Sequence, residues 1–208
     1  MNSERISNKG QLRISWFDKS VEGLGPGKRM VLWVQGCNKR CHGCIAERLQ
    51  DIKGGELIET AKLAQMILEQ DILELSISGG EPFLQSEELE CLLKIIKSNK
   101  PDMGIIVYTG YCYEDIINSE DRQGSLKYID ILVDGEYVEG LDDGHAMRGS
   151  SNQRVIFLSN RYSELDLPTQ RINRIEFTDN GYRMIGIPSD AARVLIKYLN
   201  HYKMESVE

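Results

Sequence analysis

Five short apolar runs punctuate the chain, over residues 30–35, 73–78, 104–108, 128–133 and 154–159, and each is closed by Gly, Asn or Asp. Runs of this length that are apolar throughout predict strands buried on both faces. Helical periodicity fills the gaps between the first of them. Leu57, Ala61, Ala64 and Leu68 share one face, and Leu89, Leu92, Leu93 and Ile96 share another. Ser86 reads as the N-cap of the second helix, with Glu87 and Glu88 in the first turn, where the helix dipole favours acidic groups. Strands alternating with helices predict an α/β fold with mostly parallel strands and right-handed crossovers. The pattern then changes. Residues 173–178 and 182–187 flank Asp179-Asn180-Gly181, a hairpin signal, and a last helix carries Val194, Leu195, Tyr198, Leu199 and Tyr202 on one side. No repeat or linker divides the chain, so residues 1–208 are expected to form a single domain. The hairpin and helix of 160–208 are expected to close the open edge of the sheet.

The unusual residues gather where the strands end. The runs lead into Gln35-Gly36-Cys37, Gly79-Gly80-Glu81-Pro82, Thr109-Gly110-Tyr111 and Asp134-Gly135-Glu136-Tyr137. In parallel sheets and barrels the carboxyl ends of the strands form the ligand-binding rim, so these loops are expected to face one site.

Composition narrows the function. With 32 acidic against 25 basic residues the net charge is −7, and no Lys/Arg cluster offers the surface that a phosphate backbone needs, so no nucleic-acid partner is expected. No apolar run is long enough to span a membrane, and the first ten residues lack a signal core, so a cytoplasmic location is expected. In that reducing compartment the five cysteines serve as ligands, reactive thiols or packing groups rather than disulfides.

Three of the five lie within eight residues, as Cys37-x3-Cys41-x2-Cys44. This spacing lets one turn present three thiolates to a metal centre. A four-iron cubane held by three cysteines keeps one iron open for another ligand. Zinc is the competing metal, but structural zinc takes four protein ligands, and His42 follows Cys41 too directly to serve easily as the fourth. A buried cysteine cluster is the third reading, and the polar Asn38, Lys39, Arg40 and His42 speak against it. Two cysteines remain, too few for a second four-cysteine cluster. Cys91 reads as core, Cys112 as a packing or surface residue, and His145 as part of a solvated loop. Arg148 and Arg154 are candidates for a substrate carboxylate or for ion pairs with Asp142, Asp143 or Glu139, and Trp16 and Trp33 read as core or interface anchors.

The cysteine loop after the first run, together with Gly79-Gly80-Glu81-Pro82, resembles the radical S-adenosylmethionine enzymes. Gly25-Pro26-Gly27-Lys28-Arg29, Leu32-Trp33-Val34-Gln35-Gly36-Cys37, Tyr108-Thr109-Gly110-Tyr111, Asp130 to Gly135 and Arg148 to Arg154 are similar to elements of the glycyl-radical enzyme activating proteins, in particular the anaerobic ribonucleoside-triphosphate reductase activating type. The resemblance covers about residues 12–158, and Ile45-Ala46 departs from it where activators often carry an aromatic residue and Asn. It implies a partial (β/α)6-type open barrel, a [4Fe-4S] cluster on Cys37, Cys41 and Cys44, and S-adenosyl-L-methionine bound by Gly79, Gly80, Glu81 and Pro82. Gly43 would lie beside the adenine, and Asp134 would line the same pocket. The implied activity is reductive cleavage of S-adenosylmethionine to a 5′-deoxyadenosyl radical that installs a glycyl radical on a partner enzyme, with electrons from a flavodoxin-like or other low-potential donor. Two rivals remain: a radical enzyme acting on a small molecule or peptide, and a non-catalytic iron–sulfur or zinc module.

Overall fold

The computed structural model describes residues 9–178 and 181–205. Seven strands, β1 (Gln11–Val21), β2 (Arg29–Val34), β3 (Glu56–Glu59), β4 (Glu74–Gly79), β5 (Gly104–Tyr108), β6 (Ile131–Asp134) and β7 (Arg154–Phe157), form one sheet in the order β3-β1-β2-β4-β5-β6-β7. The four central strands β2, β4, β5 and β6 run parallel. Antiparallel β1 and β3 flank them on one side and β7 on the other. This is the expected mixed α/β fold with a parallel centre. The sheet stays open, with β3 and β7 as its edges and no closed barrel.

Every residue of β2 is buried, because both faces of the sheet are covered. Met30, Leu32 and Val34 enter the main core beneath helices α1 (Thr60–Leu68) and α2 (Ser86–Asn99), whereas Val31 and Trp33 join a second cluster on the opposite face. Complete burial of each such aliphatic side chain contributes about 1.5–3 kcal/mol. Helix α2 buries Leu89, Leu92, Leu93 and Ile96 as its period predicts.

Arg29 is fully buried at the start of β2 and staples the amino ends of three strands. Its guanidinium donates to Glu74 (2.7 Å) and Ser76 Oγ (2.8 Å) and to the carbonyls of Leu75 (3.0 Å) and Gly104 (3.2 Å). A buried charge is tolerated only when it is paired and hydrogen-bonded, and this one fixes the mutual register of β2, β4 and β5. Their carboxyl ends, at the far side of the sheet, are thereby brought level.

Several expectations change. Strands β1 and β3 were not foreseen; bulges after Ile14 and Asp18 break the alternation of β1, and β3 is only four residues long. Leu57 lies in β3, and α1 buries Leu63, Ala64 and Ile67 rather than the face containing Ala61. Ser86 is the first residue of α2 and Gln85 its N-cap, because a 3-10 turn over Pro82–Gln85 leads directly into the helix. Cys91 is exposed on α2, its sulfur 3.5 Å from Thr60 Oγ1, because it lies one position off the buried stripe.

The tail also departs from expectation. Strands β8 (Arg174–Thr178) and β9 (Gly181–Ile185) form a separate hairpin that pairs with neither edge of the large sheet. Of its connection, Asp179 and Asn180 lie outside the described residues. Ile185 and Ile187 pack with Val31 and Trp33, so the tail covers the sheet face opposite α1 and α2 instead of an edge. Helix α4 (Asp190–Glu205) follows, and Val194, Leu195 and Tyr198 are exposed on it, while Tyr202 lies outside the described side chains.

Candidate metal and cofactor site

The carboxyl ends of β2, β4 and β5 open into a cavity of about 1270 Å³, lined by Cys37, Cys41 and Cys44, by Gly79, Gly80 and Glu81, and by Thr109 and Gly110. The loop carrying the cysteines is closed at its base. Gly36 N donates to Leu49 O (2.8 Å), Cys37 N to Gln50 O (3.2 Å), and the Gln35 amide to Asp51 O (2.8 Å). Within it, Arg40 (φ +54°) and Gly43 (φ +72°) adopt left-handed backbone, which turns the chain sharply enough for all three cysteines to reach the same cavity. A bond from Cys44 N to Cys41 O (3.3 Å) closes the last turn.

All three thiols are partly buried. Burial pushes the Cys37 thiol up against the opposing pull of the Lys39 amide, which donates to its sulfur at 3.4 Å; Glu81 and Cys44 push it further. Burial likewise raises Cys41, with Glu136 and Cys44 adding to it. Cys37 and Cys41 therefore stay protonated at neutral pH without metal, and metal binding releases their protons. Among the described residues no three His, Cys, Asp or Glu side chains converge on a single ion. His42 turns away to Glu139, 3.2 Å from Nδ1, with its side chain almost fully exposed. A donor set of three sulfurs from one loop, spread along a cavity wall with no fourth protein ligand drawn in, fits an iron–sulfur cluster.

The Gly-Gly-Glu element meets this loop backbone to backbone. Gly80 N donates to Val34 O and Glu81 N to Gly36 O, both at 2.8 Å. A Cβ at Gly80 would stand 2.2 Å from Gly36 O, so no other residue fits there. Glu81 is buried, and its carboxylate accepts from Phe83 N (2.9 Å), Thr109 Oγ1 (2.7 Å) and Gly110 N (2.7 Å). Burial drives its pKa up despite those bonds, which oppose the shift. Glu81 therefore fastens the end of β4 to that of β5. Pro82 is buried in the following 3-10 turn and does not line the cavity.

Asp134 departs from its expected place. It is buried but absent from the cavity wall, because its carboxylate accepts from Tyr113 N (2.7 Å) and from Arg154 at 3.0 and 2.5 Å. Arg154 also pairs with Glu114 (2.7 Å), and Arg148 with Asp143 (2.6 Å), so both arginines serve in ion pairs. Cys112 is exposed at the N-cap of the short helix α3 (Tyr113–Ile117).

Other contributors escaped the sequence reading. Trp16 and Trp33 stack at 4.0 Å and both line the cavity, and Arg183 lies 4.3 Å above the Trp16 ring. The tail supplies Tyr182, Met184, Ile187, Arg193, Ile196 and Lys197 to the wall. The alternating run at 182–187 was visible in sequence, but nothing there indicated which side of the sheet it would cover.

Among the described residues no helix is long and apolar enough to cross a membrane. A family model described as a 4Fe-4S single cluster domain matches residues 23–156. Relatives named anaerobic ribonucleoside-triphosphate reductase-activating protein include that of Enterobacteria phage T4, 37% identical over 136 residues (63% of this chain, 85% of the relative). That of Vibrio cholerae is 34% identical over 142 residues (63% and 88%), and that of Escherichia coli K12 is 34% identical over 140 (63% and 89%). The matched span holds the cysteine loop, the Gly-Gly-Glu crossing and the Thr-Gly-Tyr rim, and on this ground the chain belongs to the 4Fe-4S single cluster domain family and, within it, to the anaerobic ribonucleoside-triphosphate reductase-activating proteins.

Proposed function

We propose that the protein is a radical S-adenosylmethionine activase that installs a glycyl radical on a partner enzyme, an anaerobic ribonucleotide reductase. The observation that carries this reading is the sharing of one cavity by three thiols from a single loop and by the Gly79–Glu81 backbone. Cys37, Cys41 and Cys44 would hold the cluster, and the Lys39 amide would donate to the Cys37 sulfur. When bound and reduced, the cluster would supply the one electron that splits S-adenosylmethionine into methionine and a 5′-deoxyadenosyl radical, and a glycine Cα of the partner would give up the hydrogen atom that turns this radical into 5′-deoxyadenosine. Gly79 and Gly80 let the end of β4 cross close against the backbone of Trp33, Val34 and Gly36, which leaves their own backbone on the cavity wall where the methionyl group would lie, and Gly43, also on that wall, would neighbour the adenine. The protein's task is to orient the reactive carbon and to keep competing hydrogen donors out.

The names of the relatives, activating proteins of an enzyme, support a polypeptide substrate. In this reading the open sheet is a reduced form of a partial (β/α)6 barrel whose open side admits a segment of the partner. A low-potential donor of the flavodoxin type would supply the electron. The test is anaerobic reconstitution followed by dithionite, S-adenosylmethionine and an anaerobic ribonucleotide reductase from the same source as this chain. Production of 5′-deoxyadenosine with a glycyl radical signal on the reductase is expected. Cleavage without that signal would overturn the assigned partner, and no cleavage from a fully loaded cluster would overturn the radical chemistry.

A further inference from the structure

Tyr111 follows the Thr-Gly rim of β5, is buried to 7% exposure, and sits between two cations. Lys39 Nζ stands 4.0 Å from its ring centroid and the Arg122 guanidinium 4.2 Å. Its hydroxyl accepts from Asn38 Nδ2 at 2.8 Å and from Arg122 at 3.4 Å. Its own backbone is fixed by Thr109 Oγ1, which accepts from Tyr111 N (3.1 Å), and by Gly135 N, which donates to Tyr111 O (3.1 Å). Asn38 and Lys39 are the two residues that directly follow Cys37, and the Lys39 amide is the donor to the Cys37 sulfur. The end of β5 therefore grips the cysteine loop through one aromatic ring.

We infer that Tyr111 is a positioning residue for the cluster loop: by holding Asn38 and Lys39 it keeps the Lys39 amide on the Cys37 sulfur and the Lys39 ammonium beside the cluster, and so sets the cluster's reduction potential. The inference rests on the reading above that Cys37, Cys41 and Cys44 hold the cluster. Both effects have one sign. A hydrogen bond to a ligand sulfur and a nearby cation each stabilise the more negative, reduced cluster, so releasing them lowers the potential. Lys39 is also held by Glu136 at 3.1 Å, which keeps its ammonium near the rim but does not act on the backbone amide.

Tyr111→Phe and Tyr111→Leu in the full chain separate the ring from the hydroxyl. The first readout is the midpoint potential of the reconstituted cluster, followed by electron paramagnetic resonance without S-adenosylmethionine or partner. The second is amide exchange across residues 38–44 in the cluster-free protein. Tyr111→Leu should move the midpoint to a more negative value and speed exchange about fivefold, the loss of one cation–π contact. Tyr111→Phe keeps the ring and should restore most of the wild-type midpoint. Lys39→Met removes the ammonium but leaves the Asn38 and Arg122 contacts of Tyr111, and should reproduce the negative shift even where Tyr111→Leu unfolds. A wild-type midpoint and wild-type exchange in Tyr111→Leu, or a shift in Tyr111→Phe as large as in Tyr111→Leu, would overturn the role. A wild-type chain that takes up no four-iron cluster would instead overturn the cluster reading, and the exchange comparison would still decide whether Tyr111 orders the loop.

Discussion

Asp142 joins the tail to the rest of the molecule, and its replacement by Asn is the sharpest test of how that wall is held. Its carboxylate accepts from Arg171 at 2.6 and 3.0 Å, from Arg193 at 2.5 Å and from Gly144 N at 3.0 Å. Arg171 is itself nearly buried and also donates to the carbonyls of His145, Arg148 and Pro188. Burial alone would raise the Asp142 pKa. The Arg171 bonds, the Gly144 amide and Arg193 outweigh it and bring the value from 3.8 down to about 2. A carboxylate bound that much better in its charged form contributes about 2 kcal/mol to stability at neutral pH.

The sign follows from the depressed value. Above the unfolded pKa, near 4, the contribution is complete; it drains away as pH falls toward 2, where the folded carboxylate protonates. Asp142→Asn should therefore melt about 5 °C below wild type at pH 7, given the usual 2–4 °C per kcal/mol for a chain of this size. The assay is paired urea and thermal unfolding of the cluster-free proteins from pH 7 down to the lowest pH at which both stay folded. The gap should narrow below pH 4. Equal stability at pH 7, or a gap that stays constant in acid, would refute the assignment of the ion-paired hub.

Gly80→Ala puts a methyl group 2.2 Å from the Gly36 carbonyl, a clash no side-chain rotation relieves. About 1–3 kcal/mol of stability should be lost, and iron bound per chain after reconstitution should fall; wild-type melting and iron content would contradict the close crossing. Glu81→Gln turns one acceptor into a donor facing Phe83 N, Thr109 Oγ1 or Gly110 N, which should cost about 1–3 kcal/mol in denaturant unfolding; an unchanged midpoint would show that the carboxylate does not fasten the two loops. Cys41→Ser should lose cluster absorbance and iron while keeping the unfolding curve of the cluster-free wild type, since the thiol is only partly buried; a full iron complement would remove Cys41 from the ligand set.

What sequence reveals here depends on whether the signal is local. The parallel strands are short apolar runs, and their order of appearance carries the rim, so the sequence alone assigns Cys37, Gly80, Thr109 and Gly135 to one end of the sheet. Strand β1 escaped because its bulges shift the register, and β3 because a four-residue exposed strand resembles the lead-in to a helix. Cys91 shows the same weakness in reverse. It lies beside Leu92, yet one residue of rotation on a helix carries it from core to surface. Asp134 illustrates a different limit, since its motif was legible but the direction of its side chain depends on Arg154, twenty residues away. The cavity-facing parts of Tyr182, Arg193 and Lys197 depend on which face of the sheet the hairpin covers, a choice made by the packing of Ile185 and Ile187 against Trp33.

That last choice divides the site into two parts of different origin. The cluster loop, the Gly-Gly-Glu crossing and the Thr-Gly-Tyr rim fall within the residues shared with the family, 23–156. They are bound to one another by backbone contacts at Gly36 and Gly80 and by the Glu81 carboxylate, an arrangement that tolerates little variation in side chain. The facing wall comes from residues beyond that span, and its polar attachment runs through Asp142 to Arg171 and Arg193. Side chains on such a wall can change without disturbing the crossing that frames the cluster. Substitutions at Met184, Ile196 or Lys197 should accordingly alter what enters the cavity while leaving iron uptake intact, whereas substitutions at Gly80 or Glu81 should strike the metal centre itself.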